Sequence, residues 1–305
     1  MIQKSKIYQV KKFLFIVIGL ICFPGSFLYA QPNYPKQGSN NRPGDLTVTR
    51  NTISNSYLSL TYSPQTKSME AVTKSDKKVF LRNLIPHTTI STIHKEQVSD
   101  AVFGIGSSLL INTIDGCKTR FALFPMQPFL FVTQIFKNTD ADTLNIQKLN
   151  PISFSIDLGK KANELITLGT GGLLAADKNP GSYVFLTTVD PATRHGVISG
   201  WLTNEKGSGV LFSRFTDNTI VIKPQIDYGN FRLPPGKKET SETLLIGYFD
   251  DARIGEEQFA DAIAKHQHIK LKPRTAVYCS WYSEENGGAG SEESSVELAG
   301  FIKRI

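Results

Sequence analysis

Hydrophobic and polar residues alternate through most of residues 46–246. Every second position is apolar in 58–62 and again in 152–158, and a period of two is typical of strands with one face buried. Residues 129–136 are apolar on both faces apart from two polar positions, which predicts a central strand covered on both sides. No stretch of helical period longer than two turns interrupts these runs.

Turn-forming residues separate the apolar runs. Asn, Asp, Gly and Pro cluster there and favour tight turns. Many short strands joined by turns bury their apolar faces by packing one sheet on another. We therefore predict a mainly β fold, with a large antiparallel β-sandwich domain over residues 46–250. The turn segments are 137–140, 179–181, 204–207 and 233–236.

The apolar period becomes helical after residue 250. Phe259, Ala262 and His266 fall on one helical face, and the acidic pair at 250–251 precedes them as a candidate N-cap. The residues that follow are basic and lead to a proline. We predict a linker helix and an extended segment over residues 251–273.

Residues 274–305 have the order strand, loop, helix. An apolar run at 275–282 precedes a glycine-rich loop, and Ser294 and Glu297 then stand at capping-box spacing. We interpret this as the truncated start of a (β/α)8 barrel, a first βα unit without its continuation. We expect its uncovered apolar stripe to exchange amide hydrogens rapidly or to drive assembly into a homo-oligomer. The stripe consists of Leu298, Phe301, Ile302 and Ile305.

Residues 1–30 have the features of a secretory signal peptide. Four lysines and no acid accompany the apolar run 13–22, and the segment ends at Ala30. A stable membrane span needs about 20 apolar residues, and Pro24 interrupts this run earlier. We expect cleavage near Ala30, a secreted or periplasmic protein, and a flexible leader over residues 31–45.

Composition and charge exclude several classes of protein. With 40% hydrophobic and 20% charged residues, the chain is globular rather than disordered or coiled-coil. Removing the four signal lysines from 34 basic residues, against 27 acidic ones, lowers the net charge from +7 to +3. We therefore expect no nucleic-acid partner. Cys117 and Cys279 do not make a disulfide framework, and we interpret them as isolated buried thiols.

Paired acids at 250–251, 256–257 and 292–293 do not indicate two-carboxylate hydrolysis. That chemistry needs facing carboxyl groups about 5–10 Å apart, which neighbours in sequence do not provide. All three pairs fall near predicted helix starts, where negative charge offsets the helix dipole. His266 and His268 lack neighbouring cysteines or a further histidine, so we assign them to a solvated basic linker and expect no metal or cofactor.

Aromatic residues end the predicted strand at 275–282. Trp281 lies there, at a position that faces the active site in α/β barrels. An indole face can stack on the apolar face of a pyranose, which makes Trp281 a candidate sugar-binding residue, with core packing as the alternative. His195 lies in a turn without an identifiable partner, and no nucleophilic triad is supported.

The segments GYFDDARIGEEQFADAIAKHQHIKLKP at 247–273 and YCSWYSEENGGAG at 278–290 resemble a known junction. They are similar to the boundary between sandwich and barrel in α-galactosidase-like enzymes of glycoside hydrolase family thirty-six. Residues 128–158 look like the middle of the same family's N-terminal β-supersandwich. The resemblance extends over nearly all of residues 46–305 and implies a supersandwich followed by a catalytic (β/α)8 barrel.

The resemblance implies retaining hydrolysis of terminal α-galactosides by two aspartates on middle barrel strands. Residues 274–305 are far fewer than the roughly 250 of a complete barrel, so we expect no catalytic aspartate in this chain and no activity alone. Cys279, Trp281 and Ser283 match the first barrel strand, and with Glu284 they are the expected contacts to an α-galactoside oligosaccharide or glycan. The alternative is a secreted, non-catalytic carbohydrate-binding or scaffolding sandwich.

Overall fold

The computed structural model describes residues 47–49, 51–271 and 291–303. Within them lie two β-sheets, helix α1 (Ala252–His266), helix α2 (Glu292–Ile302) and a short 3-10 helix at Ala162–Glu164. In chain order the strands are β1 (Thr47–Thr49), β2 (Thr52–Ser54), β3 (Leu58–Ser63), β4 (Ser68–Thr73), β5 (Val79–Pro86), β6 (Ile90–Asp100), β7 (Gly104–Thr113), β8 (Lys118–Leu123), β9 (Leu130–Lys137), β10 (Leu144–Leu149), β11 (Ile152–Ile156), β12 (Ile166–Gly169), β13 (Gly172–Ala175), β14 (Gly181–Tyr183), β15 (Phe185–Val189), β16 (Gly196–Trp201), β17 (Ser208–Thr216), β18 (Thr219–Leu233), β19 (Lys238–Thr240) and β20 (Leu244–Phe249).

Each sheet has ten strands, and the described pairings are antiparallel. Sheet one has the order β1-β2-β3-β4-β5-β11-β18-β17-β14, and β10 also pairs with β18. Sheet two has the order β13-β12-β15-β16-β20-β9-β8-β7-β6, and β19 also pairs with β9. The predicted mainly β, antiparallel sandwich is confirmed.

The two sheets share one apolar core, which we call the inter-sheet core. Sheet one contributes Phe80 and Phe154, while sheet two contributes Phe121 and Trp201, and all four side chains are fully buried. The indole of Trp201 occupies the space above Gly209 of β17, where an added Cβ would come within 2.2 Å of the ring. Glycine at that position therefore allows the two sheets to approach closely.

A second apolar layer covers the other face of sheet two, and we call it the outer aromatic cluster. Leu130 and Val132 of β9 belong to the inter-sheet core, whereas Phe131 between them belongs to the outer aromatic cluster. Strand β9 is thus covered on both sides, as its sequence predicts. The buried members of the cluster are Phe103, Ala122, Phe124, Phe129, Phe131, Ile198, Leu202, Leu245, Phe249, Phe259 and Ala262.

Helix α1 begins where the sequence predicts. Asp251 is its N-cap, and the carboxylate accepts a hydrogen bond from the backbone N–H of Arg253 at 3.1 Å. Phe259 and Ala262 bury the predicted stripe in the outer aromatic cluster. The ring of Phe259 lies directly over Gly200 of β16, where a Cβ would approach it to 2.3 Å. The helix is therefore docked through its apolar face.

Two sequence interpretations on α1 are wrong. His266 does not lie in a solvated linker, because it is the last residue of the helix and its ring stacks on Phe103 with centroids 6.2 Å apart. The acidic pair at 256–257 lies beyond the first turn of α1, so it does not offset the dipole at the helix start.

Helix α2 begins earlier than its predicted cap. Glu292 and Glu293 occupy the first turn, as expected, but Ser294 lies inside the helix and is not its N-cap. Acidic residues stabilise a helix N-terminus through the dipole, which favours a start before Ser294. The hydroxyl of Ser295 donates to the carbonyl of Ser291 at 2.9 Å.

Several predictions fall outside the described residues. The signal peptide over 1–30, the leader over 31–45, and the strand and glycine-rich loop within 272–290 all lie there. In the part of the chain that the structure describes, no helix is both long enough and apolar enough to cross a bilayer.

Candidate functional site

A cleft of about 260 Å³ lies where strands of both sheets begin or end. It forms at the start of β5, just after β11, just before β16 and near the end of β20, so each sheet supplies two elements. The approach of the two sheets, rather than a single loop, therefore shapes this site. The lining residues are Lys78, Val79, Asp157, Leu158, Gly159, His195 and Tyr248.

Tyr248 and His195 form the aromatic wall of the cleft. The Tyr248 ring packs against Phe80 of the inter-sheet core with centroids 5.7 Å apart. On its other side, the His195 imidazole meets it edge to face at 6.0 Å. The contact with Phe80 thus anchors this wall of the cleft in the inter-sheet core.

The hydroxyl of Tyr248 is buried at this wall. The side chain of Asp250 lies next to it. Burial raises the pKa of the Tyr248 hydroxyl, and the nearby carboxylates of Asp250 and Asp76 raise it further. The phenol is therefore neutral.

The charged residues of the cleft are already compensated within the protein. Lys78 pairs with Asp76 at 2.7 Å, and Asp157 pairs with Arg82 at 2.7 Å. Burial alone would raise the pKa of the Asp76 carboxyl, but hydrogen bonds from Lys78 and Thr73 lower it to about 2. The cleft therefore holds paired charges and neutral polar groups, an arrangement that suits a neutral, hydroxyl-rich ligand better than an ion.

The cleft is not arranged for two-carboxylate hydrolysis. Asp157 is the carboxylate among its lining residues, and the guanidinium of Arg82 engages it. Retaining hydrolysis needs a second carboxyl group about 5 Å away on the other side of the scissile bond. The arrangement can hold a ligand, and its lining residues do not supply the acid and nucleophile of a glycosidase.

The site residues predicted from sequence cannot be compared with this cleft. Cys279, Trp281, Ser283 and Glu284 lie within residues 272–290, outside the described part of the chain. Their role in sugar binding stays a prediction. His195, for which the sequence identified no partner in a nucleophilic triad, makes an edge-to-face ring contact with Tyr248.

Sequence reasoning missed the other cleft residues. Tyr248 is one apolar position in a strand, and Lys78 follows a turn. Neither residue therefore lies in a local sequence pattern that indicates a binding site. Lys78 and Asp157 come together because β5 pairs with β11, a strand distant in sequence. Only knowledge of that pairing could have placed them in one site.

Comparisons with known proteins give structural matches alone. No protein-family model matches the sequence, and no curated protein matches it significantly. Among solved structures, a galactose mutarotase related enzyme from Lactobacillus acidophilus is 12% identical with a TM-score of 0.45, and the match covers 65% of this chain and 96% of that one.

Two similar structures are longer enzymes. An α-N-acetylgalactosaminidase from Bifidobacterium bifidum is 10% identical with a TM-score of 0.47, and the match covers 71% of this chain and 39% of the enzyme. An α-galactosidase from Lactobacillus brevis is 14% identical with a TM-score of 0.43, and the match covers 78% of this chain and 38% of the enzyme. The chain thus spans about two fifths of the length of these glycosidases.

Proposed function

We propose that this chain provides the β-sandwich domain of an exported glycoside hydrolase of the α-galactosidase type. The observation that carries the proposal is the capped helix α1, which directly follows the last strand of the sandwich. This helix lies within residues 247–273, the segment whose sequence resembles the sandwich-to-barrel junction of such enzymes. A sandwich that continues through a docked helix matches the expected order of domains.

The proposed reaction is retaining hydrolysis of terminal α-galactosides, with both catalytic aspartates on a barrel. The cleft of the sandwich supports the placement of catalysis on the barrel, because its carboxylate, Asp157, is already paired with Arg82. In this proposal Trp281, with Cys279, Ser283 and Glu284, contributes to the sugar-binding surface at the first barrel strand. Export follows from the signal-like residues 1–30.

An assay on an aryl α-galactoside tests the proposal. We expect no turnover from the purified 305-residue chain and turnover from the polypeptide continued in frame past Ile305. Trp281→Ala in the longer protein should raise KM, while Trp201→Phe in the inter-sheet core should leave KM unchanged. Turnover by the 305-residue chain would refute the placement of the catalytic pair, and an inactive longer protein would refute the proposed activity.

A second candidate function is a carbohydrate-binding module, and the cleft at Tyr248 favours it. A glycan array probed with the full chain would show selective binding if this function is correct. Tyr248→Phe removes the buried hydroxyl, so it should weaken such binding. Tyr183→Phe is the matched control, since Tyr183 lies on edge strand β14 with most of its side chain exposed. Equal binding by the two variants would exclude the cleft as the binding site.

A further inference from the structure

Three potential metal ligands meet at the turn between β7 and β8. The ligand atoms of His87, Asp115 and Cys117 all lie within 4.8 Å of one another. Asp115 and Cys117 belong to the turn between β7 and β8, and His87 follows β5. Cys117 is a free thiol, as the sequence interpretation has it, but it is half-buried rather than buried, and His87 and Asp115 are its polar neighbours.

The carboxylate of Asp115 is held in place from three sides. Its Oδ2 accepts a hydrogen bond from Nε2 of His87 at 2.6 Å. Its Oδ1 accepts from the hydroxyl of Thr113 at 2.6 Å and from the backbone N–H of Cys117 at 3.2 Å. The turn therefore orients the carboxylate toward the imidazole without any ion.

A buried amide behind His87 has one unsatisfied atom. Nε2 of Gln134 donates to Nδ1 of His87 at 2.8 Å, while Oε1 of Gln134 is buried with no hydrogen-bond partner among the described residues. The side chain of Gln134 is completely buried. An unpaired amide oxygen in such a place costs about 1–3 kcal/mol, so the site has a polar group that the present arrangement does not use.

Turning the Gln134 amide over would satisfy that oxygen. Oε1 of Gln134 would then accept a hydrogen bond from Nδ1–H of His87. The Nε2 atom of the His87 ring would carry a free lone pair directed toward Asp115 and Cys117. Metal-binding histidines commonly donate their second ring N–H to such an acceptor, which fixes the tautomer. A cation bound at Nε2 of His87 therefore requires the turned amide, in which Oε1 of Gln134 is the acceptor for Nδ1–H.

We propose that His87, Asp115 and Cys117 bind a zinc ion. Imidazole nitrogen, carboxylate oxygen and thiolate sulfur are the donors that Zn²⁺ takes in proteins, and three protein ligands leave one position for water. Binding forms a Zn–S bond, and the thiol proton passes to the solvent. Because β5 lies in sheet one while β7 and β8 lie in sheet two, the ion would join the two sheets at this end.

A nucleophilic role for Cys117 fits the site less well. Burial raises the pKa of the Cys117 thiol to about 11, with a further contribution from the Asp115 carboxylate. A thiol in that state is a poor nucleophile at neutral pH, since the thiolate is the reactive form.

Titration of the full chain with Zn²⁺ and Co²⁺, after chelator treatment, tests the site. We expect one ion per chain, a thiolate-to-cobalt absorption band, and a higher urea midpoint in the presence of Zn²⁺. Cys117→Ser should abolish the band and weaken Zn²⁺ binding more than about 100-fold, because loss of a ligand costs more than loss of an outer partner. Cys279→Ser is the matched thiol control and should keep both.

Substitutions at Gln134 distinguish a specific zinc site from a chance cluster of polar side chains. Gln134→Leu cannot accept the imidazole N–H and should weaken Zn²⁺ binding about 10–100-fold, whereas Gln134→Glu should retain it. His87→Ala should abolish binding, and His94→Ala on β6 should not. Absence of the cobalt band in the parent protein, or equal affinities of the parent and Cys117→Ser, would overturn the proposal. The parent measurement needs no substitution, so it stays decisive even where a variant fails to fold.

Discussion

The inter-sheet core draws residues from strands of both sheets, whereas the outer aromatic cluster draws them from sheet two, its connecting turns and α1. The first layer therefore joins segments that are far apart in sequence and belong to different sheets. The second layer attaches one helix to a sheet that is already formed. The difference indicates that disruption of the inter-sheet core unfolds the domain, while disruption of the outer aromatic cluster releases α1.

The largest expected effect comes from Trp201→Ala in the inter-sheet core. Trp201 is completely buried, and removing a buried indole costs about 3–5 kcal/mol through lost contacts and the cavity left behind. We expect urea denaturation to show one cooperative transition at a much lower midpoint. Trp201→Phe should cost less, and a loss below 1 kcal/mol for the alanine variant, roughly the cost of one methylene, would contradict the role of this layer.

Phe259→Ala should cost about 3 kcal/mol, the low end of the range for Phe to Ala, because α1 can move toward the gap. The effect should be local. Hydrogen exchange should become fast in residues 252–266 while the central strands of sheet two stay protected. Equal loss of protection in β9 and β20 would show that the two layers are not separate.

Alanine substitutions at two glycines allow a direct comparison of the inter-sheet core and the outer aromatic cluster. In Gly209→Ala the new methyl group meets Trp201, which both sheets hold, and we expect about 2–3 kcal/mol of destabilisation. In Gly200→Ala the methyl group meets Phe259, and we expect about 1 kcal/mol because the helix can shift outward. Chemical denaturation measures both, and Gly171→Ala, with nothing within 4 Å of its Cβ, is the control. A larger destabilisation by Gly200→Ala than by Gly209→Ala would refute the distinction between the two layers.

The smallest expected effect is at the cap of α1. Asp251→Ala should cost about 1 kcal/mol, while Asp251→Asn should retain most of the capping. The hydrogen bond from Arg253 lowers the pKa of the Asp251 carboxyl to about 2. Because this pKa lies below the unfolded value of about 3.9, its contribution is present above pH 4 and is lost as the pH falls toward 2. Urea midpoints across that pH range should converge for the parent and Asp251→Asn.

Much of the fold could be predicted because strands and helices with one buried face have apolar residues at regular intervals in the sequence. The doubly apolar run at 129–136 predicted a strand between two layers, and Phe131 lies outward while its neighbours lie inward. The order of strands could not be predicted, because β5 pairs with β11 and β11 with β18. Such distant pairings depend on the shape and register of whole sheets, and no short segment encodes them.

The candidate sites were less predictable than the fold. Tyr248 has the pattern of an ordinary strand residue, and its position at the cleft depends on how the two sheets approach each other. Cys117 appeared isolated because its partner His87 lies 30 positions earlier in the sequence, on the connection between β5 and β6. A polar cluster of this kind has no periodicity, so only the folded chain brings it together.

Both sheets place a late strand in a central position. β18 separates β11 from β17, and β20 separates β9 from β16. A chain that emerges vectorially from a ribosome or an export channel delivers β20 after every other strand of the sandwich. Until then β16 and residues 130–132 of β9 present unpaired edges, which are prone to join with other chains, and pairings this distant form slowly. Sheet two can therefore close only once its final strand has been delivered.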